Sequence, residues 1–169
     1  QLVDCSSKEG NNGCNGGSMD QAFQYIIDNN GSCNESEYPY IAIEEQCQDF
    51  KNVISISNYS DIERNNEKIL KRVVSHQPVS VAIQANTQSF QQYSSGIYSD
   101  PNCGTQLDHG VLIVGYGNDL INNMDYWIVK NSWGSDWGEN GYIRIQRNTN
   151  DDRGLCGIAM MPSIPIHKK

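Results

Sequence analysis

Two polar residues stand beside apolar segments in the second half of the sequence. His109 precedes the apolar run 110–114, and Asn131 follows the run 126–130. If these runs form antiparallel neighbouring strands, the imidazole and the carboxamide meet at one edge of a sheet. An amide in that place holds an imidazole in one tautomer, as in a Cys-His-Asn arrangement for nucleophilic catalysis. The residue types alone also fit a structural histidine and an asparagine that caps a turn.

The cysteine content suggests disulfide bonds. The chain has six cysteines but no C-x-x-C pair, so a zinc ribbon or a thioredoxin-type site has no support. Disulfides in an oxidising compartment are the better interpretation. Two N-glycosylation sequons, at Asn34 and Asn58, agree with it. The cysteines are Cys5, Cys14, Cys33, Cys47, Cys103 and Cys156.

The composition excludes several classes of function. Of the 169 residues, 37% are hydrophobic and 19% are charged, which is typical of a folded globular protein. The formal net charge is −8, and the one basic cluster is the terminal His167-Lys168-Lys169, so binding to nucleic acid is not expected. No apolar stretch approaches the roughly 20 residues of a membrane helix, so no membrane segment is expected.

The sequence predicts a helical N-terminal part and a β-rich C-terminal part, and these elements must position the two side chains. The change lies near Asp61. Ser18 and Gln21 form a capping-box pattern, and the apolar spacing that follows predicts a helix ending near Gly31, which suits a left-handed C-cap. The pattern predicts a second helix at about 66–75. Strands are predicted over 79–83, 110–114, 126–130 and 141–146, with turns at 115–118 and 134–141.

Five local strings occur in order along the chain. They are Cys14-Asn15-Gly16-Gly17, Asp108-His109-Gly110, Val114-Gly115-Tyr116-Gly117, Lys130-Asn131-Ser132-Trp133-Gly134 and Trp137-Gly138-Glu139-Asn140-Gly141-Tyr142. Together they resemble the papain and cathepsin family of cysteine proteases. Two more strings, Tyr38-Pro39-Tyr40 and Gln77-Pro78-Val79-Ser80-Val81, resemble its plant members. The resemblance covers essentially the whole chain.

The resemblance implies an α+β, papain-like fold of two domains. Residues 1–60 would be a remnant of the helical left domain, 61–163 a β-barrel-like right domain and 164–169 a C-terminal tail, with the active cleft between the domains. It also implies a thiol endopeptidase that acts on polypeptide substrates. The complete protein would be a monomer without a metal or organic cofactor, in a secreted, vacuolar or lysosome-like compartment.

The resemblance also assigns catalytic roles. His109 would pair with a cysteine thiolate and later protonate the leaving amine. Asn131 would keep the imidazole oriented, and Trp133 would shield their hydrogen bond from water, unless it is a plain core tryptophan. Asp108 and Gln91 would lie near the histidine and the leaving-group side.

Substrate-binding roles follow from the same resemblance. Gly16 and Gly17 would present bare backbone to an extended peptide; the alternative is an ordinary turn before the first helix. The pocket for the substrate residue second from the scissile bond would be lined by Met19, Ala82, Leu107 and Met161. All four are apolar, which predicts a preference for hydrophobic side chains and little affinity for Arg. Without the family, each of the four is equally a core residue.

The cysteines acquire partners by resemblance as well. The implied disulfides are Cys5–Cys47 and Cys103–Cys156. The family counterpart of Cys14 pairs with a cysteine that this sequence does not contain, and Cys33 is an extra cysteine. A bridge between Cys14 and Cys33 is disfavoured, because the predicted helix between them rises about 1.5 Å per residue and bridged Cα atoms lie within about 7 Å.

The sequence departs from the family at the nucleophile. The motif C-G-[SA]-C-[WY] is absent, and counting back from His109 places it about 25 residues before Gln1. We therefore expect the nucleophile, and the helix on which the first predicted helix packs, in a segment of the same protein that precedes Gln1. One alternative is a catalytically inactive papain-like binding, storage or defence protein. Another is a chain cleaved into two pieces.

Overall fold

A computed structural model describes residues 1–167, so the last two residues of the predicted tail, 168 and 169, lie outside the described residues. The chain divides into two compact units. The first comprises Gln1–Ser60 and, as far as it is described, Pro165–Lys169; the second comprises Asp61–Ile164. Helices predominate in the first unit and strands in the second, so the α+β class is confirmed.

The first unit begins with helix α1 (Leu2–Cys5) and contains the longer helix α2 (Met19–Asp28). Ser18 is the N-cap of α2, but its side chain makes no capping hydrogen bond, so the predicted capping box is wrong. The backbone N–H of Ser18 donates instead to Asn11 Oδ1 at 2.8 Å. After α2, Asn30 takes the left-handed conformation at φ 54° and Gly31 follows at φ 135°, so the left-handed residue comes one position before the predicted Gly31.

The first unit buries little apolar surface. Tyr25 and Tyr38 are the only hydrophobic residues described in it that are buried. The other apolar residues of α2 stay partly exposed. Several apolar residues in the loop that follows are well exposed; they are Tyr40, Ile41, Ile43, Phe50, Val53 and Ile54. The disulfide Cys5–Cys47 links α1 to that loop, with Cα atoms 4.9 Å apart. Small apolar cores commonly depend on such a crosslink.

The second unit contains the predicted second helix and strands. Helix α3 (Glu67–Val74) is capped by Asn66, whose Oδ1 accepts from Ile69 N at 3.0 Å. Strand β2 (Val79–Ile83) has the predicted bounds, and its alternate residues are buried. The other elements are the short helix α4 (Gln88–Gln91), β3 (Ile97–Tyr98), β4 (His109–Asp119), β5 (Met124–Lys130) and β6 (Tyr142–Gln146).

Like β3, the strands β1 (Ile56–Asp61) and β7 (Ser163–His167) were not predicted by the sequence patterns, and the three complete the sheet. The strand order is β1-β7-β2-β4-β5-β6-β3. Strands β2, β4, β5 and β6 pair antiparallel in succession, and β3 runs parallel to β6. Over the described part of the chain the sheet is open, with β1 and β3 at its edges, and is not closed into a barrel.

Strand β4 is longer than predicted. The glycine-rich stretch 115–118 was expected to be a turn, but it lies inside β4, and the reversal to β5 comes at 120–123. The pairing register between β4 and β5 shifts between Ile113 and Gly115, and the pairing then continues to Asp119. At Gly117 a Cβ atom would lie 2.4 Å from the hydroxyl of Tyr126 on β5. This glycine therefore serves close packing of a neighbouring aromatic ring rather than chain reversal.

The core of the second unit lies under this sheet. Trp127, Phe90 and Leu70 are among its largest fully buried side chains, together with aliphatic residues from β2, β4, β5 and β6. The disulfide Cys103–Cys156 belongs to the same core. No helix described within residues 1–167 is long and apolar enough to cross a membrane.

Candidate active site

His109 and Asn131 meet at one edge of the sheet. His109 is the first residue of β4 and pairs with Ile83 of β2, whereas Asn131 follows the last residue of β5. Because β4 and β5 are antiparallel neighbours, the start of one lies beside the end of the other. The Nε2 atom of His109 lies 2.7 Å from Oδ1 of Asn131.

The amide oxygen of Asn131 accepts two hydrogen bonds. The second donor is the backbone N–H of Ser132, at 2.8 Å. Asn131 as a whole is only 8% exposed, and its Nδ2 has no partner within residues 1–167. The Asn131 atom that faces Ser132 N–H must be the oxygen, because an amide nitrogen cannot accept a hydrogen bond. The same oxygen faces Nε2 of His109, so this arrangement assigns the proton of the neutral imidazole to Nε2. The Nδ1 atom is then left to receive or give a proton on its other side.

The ring of Trp133 packs against that of His109. Its ring centroid lies 4.9 Å from that of His109, with 31° between the ring planes. Phe90, which is fully buried in α4, meets the other part of Trp133 edge-on at 5.7 Å. Trp133 itself is 40% exposed, so it does not belong to the core. That it shields the hydrogen bond between His109 and Asn131 from water stays a prediction. A hydrogen bond shielded from water is electrostatically stronger than one in water.

Asp108 fixes the start of β4. Its Oδ1 accepts from Ala85 N at 2.7 Å, and its backbone N–H donates to Ile83 O at 3.0 Å. The neighbouring histidine is thereby held on a rigid strand end rather than on a loop. Gln91 lies in α4, and its backbone oxygen accepts from the indole of Trp137 at 3.0 Å.

The predicted substrate-binding residues lie in both units. Ala82, on β2 opposite Gly110, belongs to the second unit together with Leu107 and the partly exposed Met161. Met19, the first residue of α2, belongs to the first unit together with Gly16 and Gly17. The grouping of these residues into one pocket stays a prediction.

The two glycines before α2 differ in their surroundings. Gly16 has φ 98°, and a Cβ atom there would meet nothing within 4 Å. At Gly17 a Cβ atom would lie 2.0 Å from Oδ1 of Asn11, the atom that accepts the N–H of Ser18. Gly17 is therefore required by local packing, whereas Gly16 leaves open space beside its backbone.

The remaining cysteines and the sequons are accessible to different degrees. The structure contains the disulfides Cys5–Cys47 and Cys103–Cys156, while Cys14 is free and exposed and Cys33 is free and half-buried. The Sγ of Cys33 donates to Oε1 of Gln1 at 3.1 Å. Both sequon asparagines, Asn34 and Asn58, are exposed.

The patterns in the sequence did not single out Phe90 or the backbone N–H of Ser132 at this site. Phe90 is an isolated aromatic residue among polar ones, which is a weak signal. The part of the chain that the structure describes holds no group of three or more His, Cys, Asp or Glu residues arranged to bind a metal ion.

Comparison with known proteins decides the family. The model of the papain family cysteine proteases matches residues 1–166. The chain belongs to the papain family. It is 53% identical over 168 residues to the oryzain beta chain of Oryza sativa subsp. japonica, covering 98% of this chain and 35% of that protein. It is 54% identical over 168 residues to cathepsin L of Sarcophaga peregrina, covering 97% of this chain and 48% of that one.

Solved structures of the papain family agree with this fold. Bromelain from Ananas comosus, in complex with an inhibitor, superposes with a TM-score of 0.93 at 43% identity, over 99% of this chain and 76% of that chain. A ragweed pollen cysteine protease in its proform gives the same TM-score and identity, over 46% of its chain. This papain-family chain spans between about a third and a half of the curated relatives named above.

Proposed function

We propose that the complete protein is a cysteine-type endopeptidase, to which this chain contributes His109 and Asn131. The observation that carries the proposal is the 2.7 Å contact between the two side chains beneath Trp133. The arrangement holds an imidazole with one nitrogen fixed and the other free. That is what a thiol needs from a general base and what a leaving amine needs from a general acid.

The nucleophile in this proposal is a cysteine of a segment that precedes Gln1. Nδ1 of His109 takes the thiol proton, and the thiolate sulfur attacks the carbonyl carbon of the substrate. When the tetrahedral intermediate collapses, the C–N bond breaks and the imidazolium protonates the leaving amine. Water, deprotonated by the imidazole, then hydrolyses the thioester, which releases the acid and restores the thiol–imidazole pair.

The exposed apolar surface of the first unit supports a preceding segment. Met19, Phe23, Ile26 and Ile27 on α2 remain partly exposed although they repeat at helical spacing. Such a face is stabilised when another element covers it. The greater length of the relatives supports the same proposal.

The proposed substrates are polypeptides bound in an extended conformation along Gly16 and Gly17. We propose a hydrophobic second subsite lined by Met19, Ala82, Leu107 and Met161. An Arg side chain there would lose its hydration without gaining a partner, since none of the four carries a charge. The two disulfides and the exposed sequons support a secreted, vacuolar or lysosome-like location for a monomeric protein.

The test uses the complete protein, reduced, with a thiol-directed epoxide inhibitor. We expect stoichiometric labelling of one cysteine upstream of Gln1 and loss of peptidase activity in proportion to labelling. Paired peptide substrates with Leu or Arg in the second position should differ by about tenfold or more in kcat/KM in favour of Leu. The variant His109→Ala is the control and should be labelled at least about 100-fold more slowly.

Two outcomes would contradict the proposal. A reduced, folded complete protein that neither hydrolyses peptides nor reacts with the epoxide would favour an inactive binding, storage or defence protein. Labelling at Cys14 or Cys33 in place of an upstream cysteine would show that the nucleophile has been assigned wrongly.

A further inference from the structure

A bidentate ion pair lies at the base of the loop that carries Trp133 and Trp137. The Nε atom of Arg144, on β6, donates to Oε2 of Glu139 at 2.9 Å, and its terminal NH2 group donates to Oε1 at 2.7 Å. The side chains are 33% and 28% exposed, respectively. The hydrogen bond from Arg144 lowers the pKa of Glu139, which keeps the carboxylate charged. Fork-to-carboxylate pairs of this kind fix geometry as well as charge.

Glu139 also connects the loop to a second segment. Its Oε1 accepts from Gly96 N at 2.9 Å. The hydroxyl of Tyr93 donates to Gly96 O at 2.6 Å, and Arg144 N donates to the same hydroxyl at 3.4 Å. The carboxylate therefore joins β6, the loop and the segment after α4 at one point.

Two chains of contacts lead from this point to the catalytic pair. The first runs through the backbone: Glu139 N donates to Tyr142 O at 2.8 Å, and Asn131 N donates to the oxygen of the intervening Gly141 at 3.0 Å. This second bond fixes the backbone of the residue that orients His109.

The second chain of contacts is aromatic. Gly141 N donates to Trp137 O at 2.8 Å, which ties the loop to Trp137. The ring of Trp137 lies 5.2 Å from that of Trp133, which in turn lies 4.9 Å from His109. Phe90 contacts both tryptophans from the core side.

We infer that Glu139 and Arg144 are positioning residues for the His109–Asn131 pair. Their ion pair holds the 133–141 loop in place. Gly141 of this loop then fixes the backbone of Asn131, and Trp137 supports the ring of Trp133 beside His109. Neither residue touches the reacting atoms. The inference rests on the proposed peptidase activity for its kinetic effect, but the geometry it concerns is independent of turnover.

The chain offers a matched control. Arg153 forms another bidentate pair, with Asp151, in the same unit; its Nε and NH2 donate at 3.0 and 2.8 Å. Those side chains are 48% and 43% exposed, and none of their hydrogen bonds leads to His109 or Asn131. Loss of a comparable ion pair there should leave the catalytic pair unchanged.

The experiment compares Glu139→Ala, Arg144→Ala and Arg153→Ala in the complete protein. We expect the first two to lower kcat by about 10- to 100-fold with KM changed less than about threefold, because they displace the imidazole rather than a substrate contact. Arg153→Ala should change neither parameter. Glu139→Gln keeps an acceptor for Gly96 N and should recover part of the loss.

A second readout does not depend on activity. In proton NMR spectra, the Nε2 proton of His109, held by Asn131 Oδ1, should give a downfield resonance in the wild type and in Arg153→Ala. It should broaden or vanish in Glu139→Ala and Arg144→Ala. An inactive wild type that keeps the resonance would contradict the proposed function alone. An unchanged resonance and an unchanged kcat in the Glu139 and Arg144 variants would overturn the positioning role.

Two more conservative variants test the inference if the alanine variant of Glu139 does not fold. If Glu139→Ala does not fold, Glu139→Gln and Arg144→Lys remain, and Lys cannot reproduce the bidentate contact. A folded Arg144→Lys protein with full kcat and an unchanged resonance would overturn the inference. A lowered kcat with an unchanged KM, restored part-way in Glu139→Gln, would support it.

Discussion

The carboxylate of Glu67 accepts a hydrogen bond from the indole of Trp127 inside the second unit. The Nε1–Oε1 distance is 2.8 Å, and Trp127 is fully buried. The other oxygen, Oε2, accepts from Asn148 N at 2.8 Å, while Glu67 as a whole is 8% exposed. One carboxylate therefore links the first turn of α3, strand β5 and the loop after β6.

We expect Glu67→Ala to destabilise the protein by about 2–4 kcal/mol, because the buried indole of Trp127 and the backbone N–H of Asn148 lose a charged acceptor. Glu67→Gln, which keeps one acceptor oxygen, should lose about half as much. The measurement is the free energy of unfolding in urea of the complete protein. Equal stability of wild type and Glu67→Ala would mean that water satisfies both donors.

The stability difference between wild type and Glu67→Gln should depend on pH. Burial raises the pKa of Glu67 above its ordinary value of 4.5, although Trp127, Asn148 and Arg147 act in the opposite direction. The folded state then binds a proton at a higher pH than the unfolded state does. Stability therefore rises as pH falls through the folded pKa towards 4.5, and is lost again as pH rises. As the pH is lowered from 7 to 4.5, the free energy of unfolding in urea should rise for the wild type relative to Glu67→Gln. A difference between the two proteins that does not change with pH would contradict this prediction.

Asn131 should tolerate aspartate better than alanine. Its oxygen accepts from His109 and Ser132, whereas its amino group has no partner within the described residues. Aspartate keeps both acceptor contacts, so we expect kcat/KM of Asn131→Asp within about tenfold of wild type and that of Asn131→Ala lowered by about 100-fold. Peptide hydrolysis by the complete protein measures both. A larger loss in Asn131→Asp than in Asn131→Ala would assign a function to the amino group.

Two glycines of the 133–141 loop should respond differently to alanine. Gly138 has φ 59°, and a Cβ atom there would lie 2.5 Å from Tyr142 O. Gly134 has φ 91°, but its Cβ atom would meet nothing within 4 Å. Both substitutions incur the left-handed backbone cost of about 1–2 kcal/mol, and Gly138→Ala adds a clash with backbone. Thermal unfolding should therefore give a lower Tm for Gly138→Ala than for Gly134→Ala, and equal Tm values would refute this difference.

Local sequence determined the elements whose stability is local. The alternation in 79–83 predicted β2 with its observed bounds, because that strand buries every second side chain. The apolar spacing of α3 predicted that helix to within a residue at each end, and the structure shows that Asn66 caps it. The family strings likewise named His109 and Asn131, since a chemical role restricts residue type wherever the chain folds.

Tertiary pairing determined the rest. Strand β1 is largely polar, β7 contains a proline, and β3 has two residues, so none carries a strand pattern of its own; each exists because a neighbouring strand supplies its hydrogen bonds. The glycines of β4 indicated a turn, yet Tyr126 packs over Gly117 and the strand continues.

The contact between His109 and Asn131 depends on both local sequence and tertiary pairing. Residue identity supplied an imidazole and a carboxamide 22 positions apart. Only the antiparallel register of β4 and β5, with the backbone N–H of Ser132 held on the same amide oxygen, brings Nε2 and Oδ1 within 2.7 Å. A hydrogen bond requires a distance and a direction between atoms, and in a folded chain packing from remote segments determines both.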